Sequence, residues 1–517
     1  MANEFTRILC NFYMMALTVL LPLYTRGTYV MLGDSKYALF RNVSLLCLGL
    51  AGAALLAGWI ECAAARRKGQ HISGQQIFSS VDICMLCYGC CAVISALCSS
   101  FGTTAWTGYR EWYMGAFSQL IFVLIYFFIS RQYRGSAYPV YLWEAAFFLV
   151  VLLGFCSRLG WDPLNLLDGF NTEDWEYSHL ISTIGNINWF CGYCSVALVM
   201  PVAGYLKGRN QKKQIILYAV SVLGLILLCI QGSDAGPVLT ATCLGVCLFL
   251  GRKNVKVFGR TFLLAAGTAF GLPCYSGLVS LLGDEARKAL PADGPGLSVL
   301  GWAGWWLLGL MCLGMYFVVC KLSDLRSTLG RTESIVKGLW LGTVILGTSV
   351  LVVGGVQYLI RLFGSEDWIN GRDALWRLSW QGFLRGDWKQ KLLGAGPDCF
   401  AEYIYSMFSP QELMNVEGHW EGAVFANAHN QWLNHLVNTG LLGICSAGAI
   451  GIAAFRRYRN YFPGILALAM YGVNSLVSFQ QVLSTPLFFL MLGICEYSVS
   501  RQMRQNVRQN EVGEIQD

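Results

Sequence analysis

The chain has 517 residues, of which 55% are hydrophobic and only 13% charged, with a net charge of +7 and a mean hydropathy of +0.49. Too little polar surface remains for a soluble globule. The class this composition points to is an all-α polytopic membrane protein, because lipid cannot satisfy backbone donors and acceptors and apolar runs that cross it must be helical.

In chain order, about fourteen apolar runs are long enough to span. They centre on residues 8–24, 42–64, 81–99, 115–130, 139–156, 187–206, 214–230, 236–250, 261–282, 299–320, 338–358, 436–455, 461–479 and 486–500. The first reads as an uncleaved anchor, since no small-residue cleavage site follows it before Tyr24, Thr25 and Arg26. Every second connection is basic: Arg66, Arg67 and Lys68, then Arg131 and Arg134, then Lys207 to Lys213, Arg252 to Arg260, Lys321 to Lys337, Arg456 to Arg459, and the tail. The positive-inside rule makes these connections and both termini cytoplasmic. The positive balance therefore reports topology and not nucleic acid. Carboxylates gather in the opposite connections, including Asp162, Asp168, Glu173, Asp174 and Glu176 and the group from Glu366 to Glu421.

One outer connection, residues 359–430, is too long for a turn. It carries Trp368, Trp376, Trp380, Trp388 and Trp420 among charges, a density of aromatics that argues for order. The stretch after Asn370 reads as a helix ended at Gly386-Asp387, with a second turn at Gly394 to Pro397. On it, Arg372, Trp376, Trp380 and Phe383 share one stripe. Two readings of that stripe stand side by side. It lies in the headgroup layer with Arg372 offered to a phosphate near a helix N-terminus, or it is the loop's own core with Arg372 paired to Asp373 or Glu366.

The loop closes on FANAHNQWLNHLVNTG (425–440), which places two of the five histidines, His429 and His435, at the entrance to a span. Below His429, Asn430, Asn434 and Asn438 line one helix face, suited to a polar ligand or to bonds with neighbouring helices. No carboxylate stands at metal-ligand spacing, which argues against a metal site. His429 has the side chain whose ordinary pKa lies nearest neutrality, suited to general-base work, although a structural or interfacial histidine fits the same position. Twenty cysteines are scattered through the spans, and the runs CMLCYGCC (84–91) and CGYC (191–194) read as packing residues. The tail 501–517 reads as polar and disordered.

GRDALW (371–376), LLGAGPDCF (392–400) and AHNQWLNHLVNTGLLG (428–443), in that order, resemble the signature of the O-antigen ligase and O-antigen polymerase superfamily. STIGNINWFCGYCSVALVMP (182–201) is similar to that family's Gly-Asn-x-Asn element. The resemblance implies an all-helical membrane glycosyltransferase of the C type. Such an enzyme needs neither metal nor cofactor and uses a polyprenyl (undecaprenyl) diphosphate-linked oligosaccharide donor, with a glycan or lipid acceptor, at the outer face of the cytoplasmic membrane. It implies that Arg372 holds the diphosphate and His429 activates the acceptor hydroxyl, with Asn186, Asn188 and Asn430 beside the substrate. The organisation that follows is an N-terminal transmembrane bundle (1–358), a catalytic extracytoplasmic loop (359–430), C-terminal transmembrane helices (431–500) and a cytoplasmic tail (501–517). The chain departs from the family in QGSDAGP (231–237), where Asp234 stands in place of a phosphate-binding arginine. Arg110, among Trp106, Tyr109, Trp112 and Tyr113, is the first substitute, with Arg377, Arg26 and Arg158 behind it, and Asp234 would then orient the acceptor or pair with one of these arginines. A transporter or lipid-linked glycan flippase is the alternative, and it predicts charge in the middle of the spans and two related halves.

Overall fold

Helices long enough to cross a bilayer need about 20 apolar residues, and nine described helices meet that length and composition. The computed structural model describes residues 2–67, 78–171, 175–252, 254–282, 301–329, 372–417 and 424–514, with Gly338 and Gly342. The expected span 338–358 lies outside them, as do Glu366, Trp368 and Trp420.

The chain is a helical membrane protein. Every expected span except 338–358 falls on a helix. The helices that position the site are α1 (Ser80–Cys98), α2 (Ala116–Gln132), α3 (Ile187–Ala197), α4 (Ala235–Gly251), α5 (Arg372–Arg385), α6 (Trp388–Leu393), α7 (Phe400–Met407), α8 (Gln431–Tyr458), α9 (Phe462–Asn474) and α10 (Thr485–Glu514). Among the described residues a single antiparallel pair, β1 (Leu180–Ile181) with β2 (Gly185–Asn186), precedes α3.

One large core joins the spans, built from side chains such as Phe122, Tyr126, Phe147, Phe190, Leu225 and Leu490. A second core belongs to the long loop and continues into the ends of α1 and α2, with Leu375, Leu378, Phe400, Ile404 and Phe408 packed with Ala96, Ala105 and Ala116. The loop is thus folded onto the bundle.

Three expectations need correction. The run 436–455 is not an even helix: α8 breaks at Gly440, whose φ of 64° only glycine adopts without strain. The break frees two carbonyls, and the loop takes them, with Ala395 N donating to Val437 O at 2.9 Å and Gly396 N to Asn438 O at 2.8 Å. A Cβ on Gly440 would stand 2.6 Å from the Gly394 nitrogen, so the two backbones touch because neither residue has a side chain. The span 461–479 ends early, at Asn474, and residues 475–484 run as mostly buried, non-helical chain. Irregular backbone at such depth persists only where protein or a cavity surrounds it. Finally, the tail is helical to Glu514. Its Arg, Gln and Met residues are good helix formers and extend a helix that the apolar part has nucleated.

Candidate functional site

The loop end of the bundle brings together α5, the start of α8, the non-helical segment 475–484, the turn 108–115 and the starts of α3 and α4. Each is held there by backbone chemistry. Asn430 caps α8, its Oδ1 accepting from Trp432 N at 3.0 Å and Leu433 N at 3.1 Å, while its Nδ2 donates to Leu476 O at 2.9 Å. Both ends of its amide are therefore used in joining α8 to segment 475–484. Asn186 Oδ1 accepts from Asn188 N at 2.8 Å and starts α3, and Asn188 Oδ1 accepts from Ser233 Oγ at 2.6 Å, which ties α3 to the turn before α4.

His429 directly precedes this cap. Its φ of 46° lies in the left-handed region, where non-glycine residues are uncommon and where strain gathers at functional sites. Its own N–H donates to Asn427 Oδ1 at 3.0 Å, and its ring meets the edge of Phe479 at 5.2 Å. Phe479 in turn packs on Trp112 at 4.8 Å, and Trp112 on Trp189 at 5.5 Å.

Arg372 opens α5 and reaches the same place. Its Nη1 lies 3.5 Å from Val477 O, two residues from Phe479. Burial pushes the His429 imidazole down to about 3, and the Arg372 guanidinium presses in the same direction. The two residues are thus electrostatic neighbours, and the imidazole is neutral. Arg372 and Asp234 also both lie within electrostatic reach of Cys191, whose sulfur accepts from Gln231 Nε2 at 3.3 Å.

The stripe on α5 is settled by burial. Leu375, Leu378, Ser379 and Gly382 face the loop core, whereas Trp380 is 50% exposed and Trp376 half-buried. The tryptophans are not the loop's core. Asp373 pairs with Arg377, not with Arg372. Arg377 stands on the open face of α5, one turn from Arg372. Arg110 is exposed on the turn that carries Trp112, and Arg26 is exposed beyond Leu23. Arg158 is fully buried and its Nη1 donates to Ser178 O at 2.8 Å.

Several residues of this site were not expected. Asp398 is buried, and its Oδ2 accepts from Tyr109 N and Met114 N, both at 2.8 Å, so that a carboxylate from the loop holds the turn 108–115 closed. Burial raises its carboxyl to about 7, against the lowering effect of the two N–H groups, and Glu402 adds to the rise. Gln480 belongs to a closed ring of hydrogen bonds. Tyr88 Oη donates to Gln119 Oε1 at 2.6 Å, Gln119 Nε2 to Gln480 Oε1 at 2.8 Å, and Gln480 Nε2 to Tyr88 Oη at 3.0 Å. Gln431 Oε1 accepts from Gln480 N, so its amide nitrogen is the donor to His435 Nε2 at 2.9 Å. His435 is by this count the Nδ1–H tautomer, buried, and it lines one cavity with Asp398 and Gln480. The sequence signal was the pair Gln480-Gln481 inside an otherwise apolar run.

Among the described residues no group of three potential metal ligands occurs. Fold and site together define a helical membrane protein with one strained, aromatic-walled polar site at its loop end. No family model matches the chain, and no curated protein matches it.

Proposed function

We propose that the protein is a glycosyltransferase that transfers or polymerises a glycan carried on polyprenyl diphosphate, at the outer face of the cytoplasmic membrane, with both termini inside. The observation that carries this reading is the convergence of Arg372 and His429, from opposite ends of a long loop, on one site rimmed by Trp112, Trp189 and Phe479. It accords with the resemblance of their surrounding motifs to the O-antigen ligase and polymerase superfamily.

In this reading Arg372 takes the donor diphosphate, since a guanidinium fork binds phosphate oxygens in two places and stabilises them as they leave. His429, a neutral imidazole, accepts the proton of the acceptor hydroxyl as that oxygen attacks the anomeric carbon. The C–O bond to the diphosphate breaks, and polyprenyl diphosphate departs. The two roles are coupled. Burial and, after it, the Arg372 guanidinium keep His429 a weak base, and a diphosphate on Arg372 offsets the second of these and raises the basicity of the imidazole. Asp234, which stands in the sequence where the family carries a second phosphate-binding arginine, pairs in this reading with the guanidinium or with an acceptor hydroxyl.

The test is reconstitution with a polyprenyl diphosphate oligosaccharide, following glycan length and polyprenyl diphosphate release in wild type, His429→Ala and Arg372→Ala. Release with a lengthening lipid-linked glycan marks a polymerase, and release with glycan on another acceptor marks a ligase. A glycan that changes sides of the membrane while still attached to its lipid would overturn the enzyme reading in favour of a flippase.

A further inference from the structure

The open face of α5 carries an arrangement that the transfer reaction does not use. Asp373, Trp376, Arg377 and Trp380 line an open cleft of about 460 Å³, a size that suits a small-molecule ligand. Trp380 is half exposed, and the Arg377 side chain is 72% exposed while paired with Asp373. The Trp376 indole nitrogen is itself buried, so that the ring offers the cleft its apolar surface and not its N–H. The helix cannot turn this face inward. On its opposite side the Tyr403 hydroxyl donates to Gly382 O at 2.9 Å, and a Cβ on Gly382 would stand 2.9 Å from Ile404 Cδ1.

We propose that this cleft is a saccharide subsite, and that it holds sugar units of the glycan beyond the one being transferred. A pyranose ring has an apolar C–H face and a rim of hydroxyls. The indoles of Trp376 and Trp380 offer flat apolar surfaces with a negative π face, which suits the polarised C–H bonds of a sugar. The Asp373–Arg377 pair offers carboxylate acceptors and guanidinium donors side by side, which suits the hydroxyl rim. Because the pair is internally neutralised, it has little net attraction for a headgroup phosphate. Trp380 lies eight residues beyond Arg372 on the same helix, roughly 12 Å along its axis. The subsite thus begins one turn past the residue assigned to the phosphates. The inference rests on the glycosyltransferase reading for its place in catalysis, while the binding itself is testable alone.

The experiment uses the full chain in nanodiscs and, as probe, free oligosaccharide released by mild acid from the cell's own polyprenyl-linked glycan, without lipid or phosphate. Binding is followed by saturation-transfer NMR in neutral and in anionic lipid. The expected result is saturable binding in wild type, weakened about tenfold or more in W376A/W380A. W376F/W380F should retain most of it, D373N should retain part, and His429→Ala should leave it unchanged. Trp388→Ala, which removes a 76% exposed indole outside the cleft, is the control expected to bind as wild type does. Undiminished binding in W376A/W380A overturns the proposal. So does an effect that appears only in anionic lipid, which would make α5 a membrane-surface helix. Binding that holds while no glycan is transferred would sink the transferase reading and leave the subsite standing.

Discussion

The two ends of the bundle treat charge in opposite ways. At the basic end, carboxylates sit on regular helices beside cations, with Asp82 at 2.7 Å from Arg131, Glu144 at 3.2 Å from Lys213 and Glu496 at 2.9 Å from Arg457. Asp82 also completes a capping box with Ser79 and accepts from the Tyr126 hydroxyl at 2.8 Å. At the loop end the backbone is irregular. All of the described non-glycine residues with positive φ lie there: Glu111, Tyr113, Asn165, Ser182, Asp398 and His429. One end is organised for holding helices together. The other stores strain, and stored strain is a mark of function.

That contrast predicts which property each end loses when it is cut. The largest expected effect is on rate: His429→Ala should lower glycan transfer by about 10²- to 10⁴-fold with little change in thermal unfolding. A variant that instead unfolds early, with normal turnover per folded molecule, would make the loop end scaffold as well. Glu496→Ala tests the other half. It strips Arg457 and Tyr458 of a buried partner and should cost about 3–5 kcal/mol of stability, while activity per folded molecule stays at the wild-type level in the same transfer assay.

Asp398 straddles the comparison, being a buried carboxylate at the loop end that is held by two backbone N–H groups. Asp398→Ala should cost about 2–4 kcal/mol by orphaning Tyr109 N–H and Met114 N–H, read as a fall in the unfolding midpoint, and Asp398→Asn should cost less. Its pH dependence has a definite sign. Folding raises this carboxyl to about 7 from its ordinary range, so its favourable contribution is complete at low pH and is lost as pH rises through about 7. The unfolding midpoint of wild type should therefore decline over that interval more steeply than that of Asp398→Asn. A parallel decline in both would remove Asp398 from the account.

The smallest effect is a displacement between two pH profiles. Burial and, after it, the Arg372 guanidinium press the His429 imidazole down to about 3, so the acid limb of kcat/KM should fall at very low pH. With diphosphate bound, the limb of kcat should appear at higher pH. Coincident limbs would contradict the coupling.

Much of this molecule was legible in its sequence, and the parts that were not share one cause. Spans are written locally, in windows of hydropathy, and the helices follow them. Arg372 and His429 were legible from residue type and motif order. The break at Gly440 was not, because the groups that make it tolerable, Ala395 N–H and Gly396 N–H, come from a distant loop that no window contains. The early end of α9 at Asn474 was hidden by the apolar residues on either side of Gln480-Gln481. The outward face of α5 was ambiguous because leucine and tryptophan compete for burial, and packing against Ile404 and Phe408 decided for the leucines.

The hydrogen-bonded ring of Tyr88, Gln119 and Gln480 also sets an order in time. Tyr88 and Gln119 belong to early helices, and Gln480 follows Tyr88 by 392 residues. At about 5–20 residues per second, synthesis takes roughly 20–80 s to cover that distance. Throughout that interval Tyr88 and Gln119 have each other and the Met114 carbonyl, to which Gln119 Nε2 donates at 2.8 Å, but not the Gln480 side of the ring. The nascent chain therefore reaches its last spans with an unfinished polar seam, and α8 and segment 475–484, arriving together, close it.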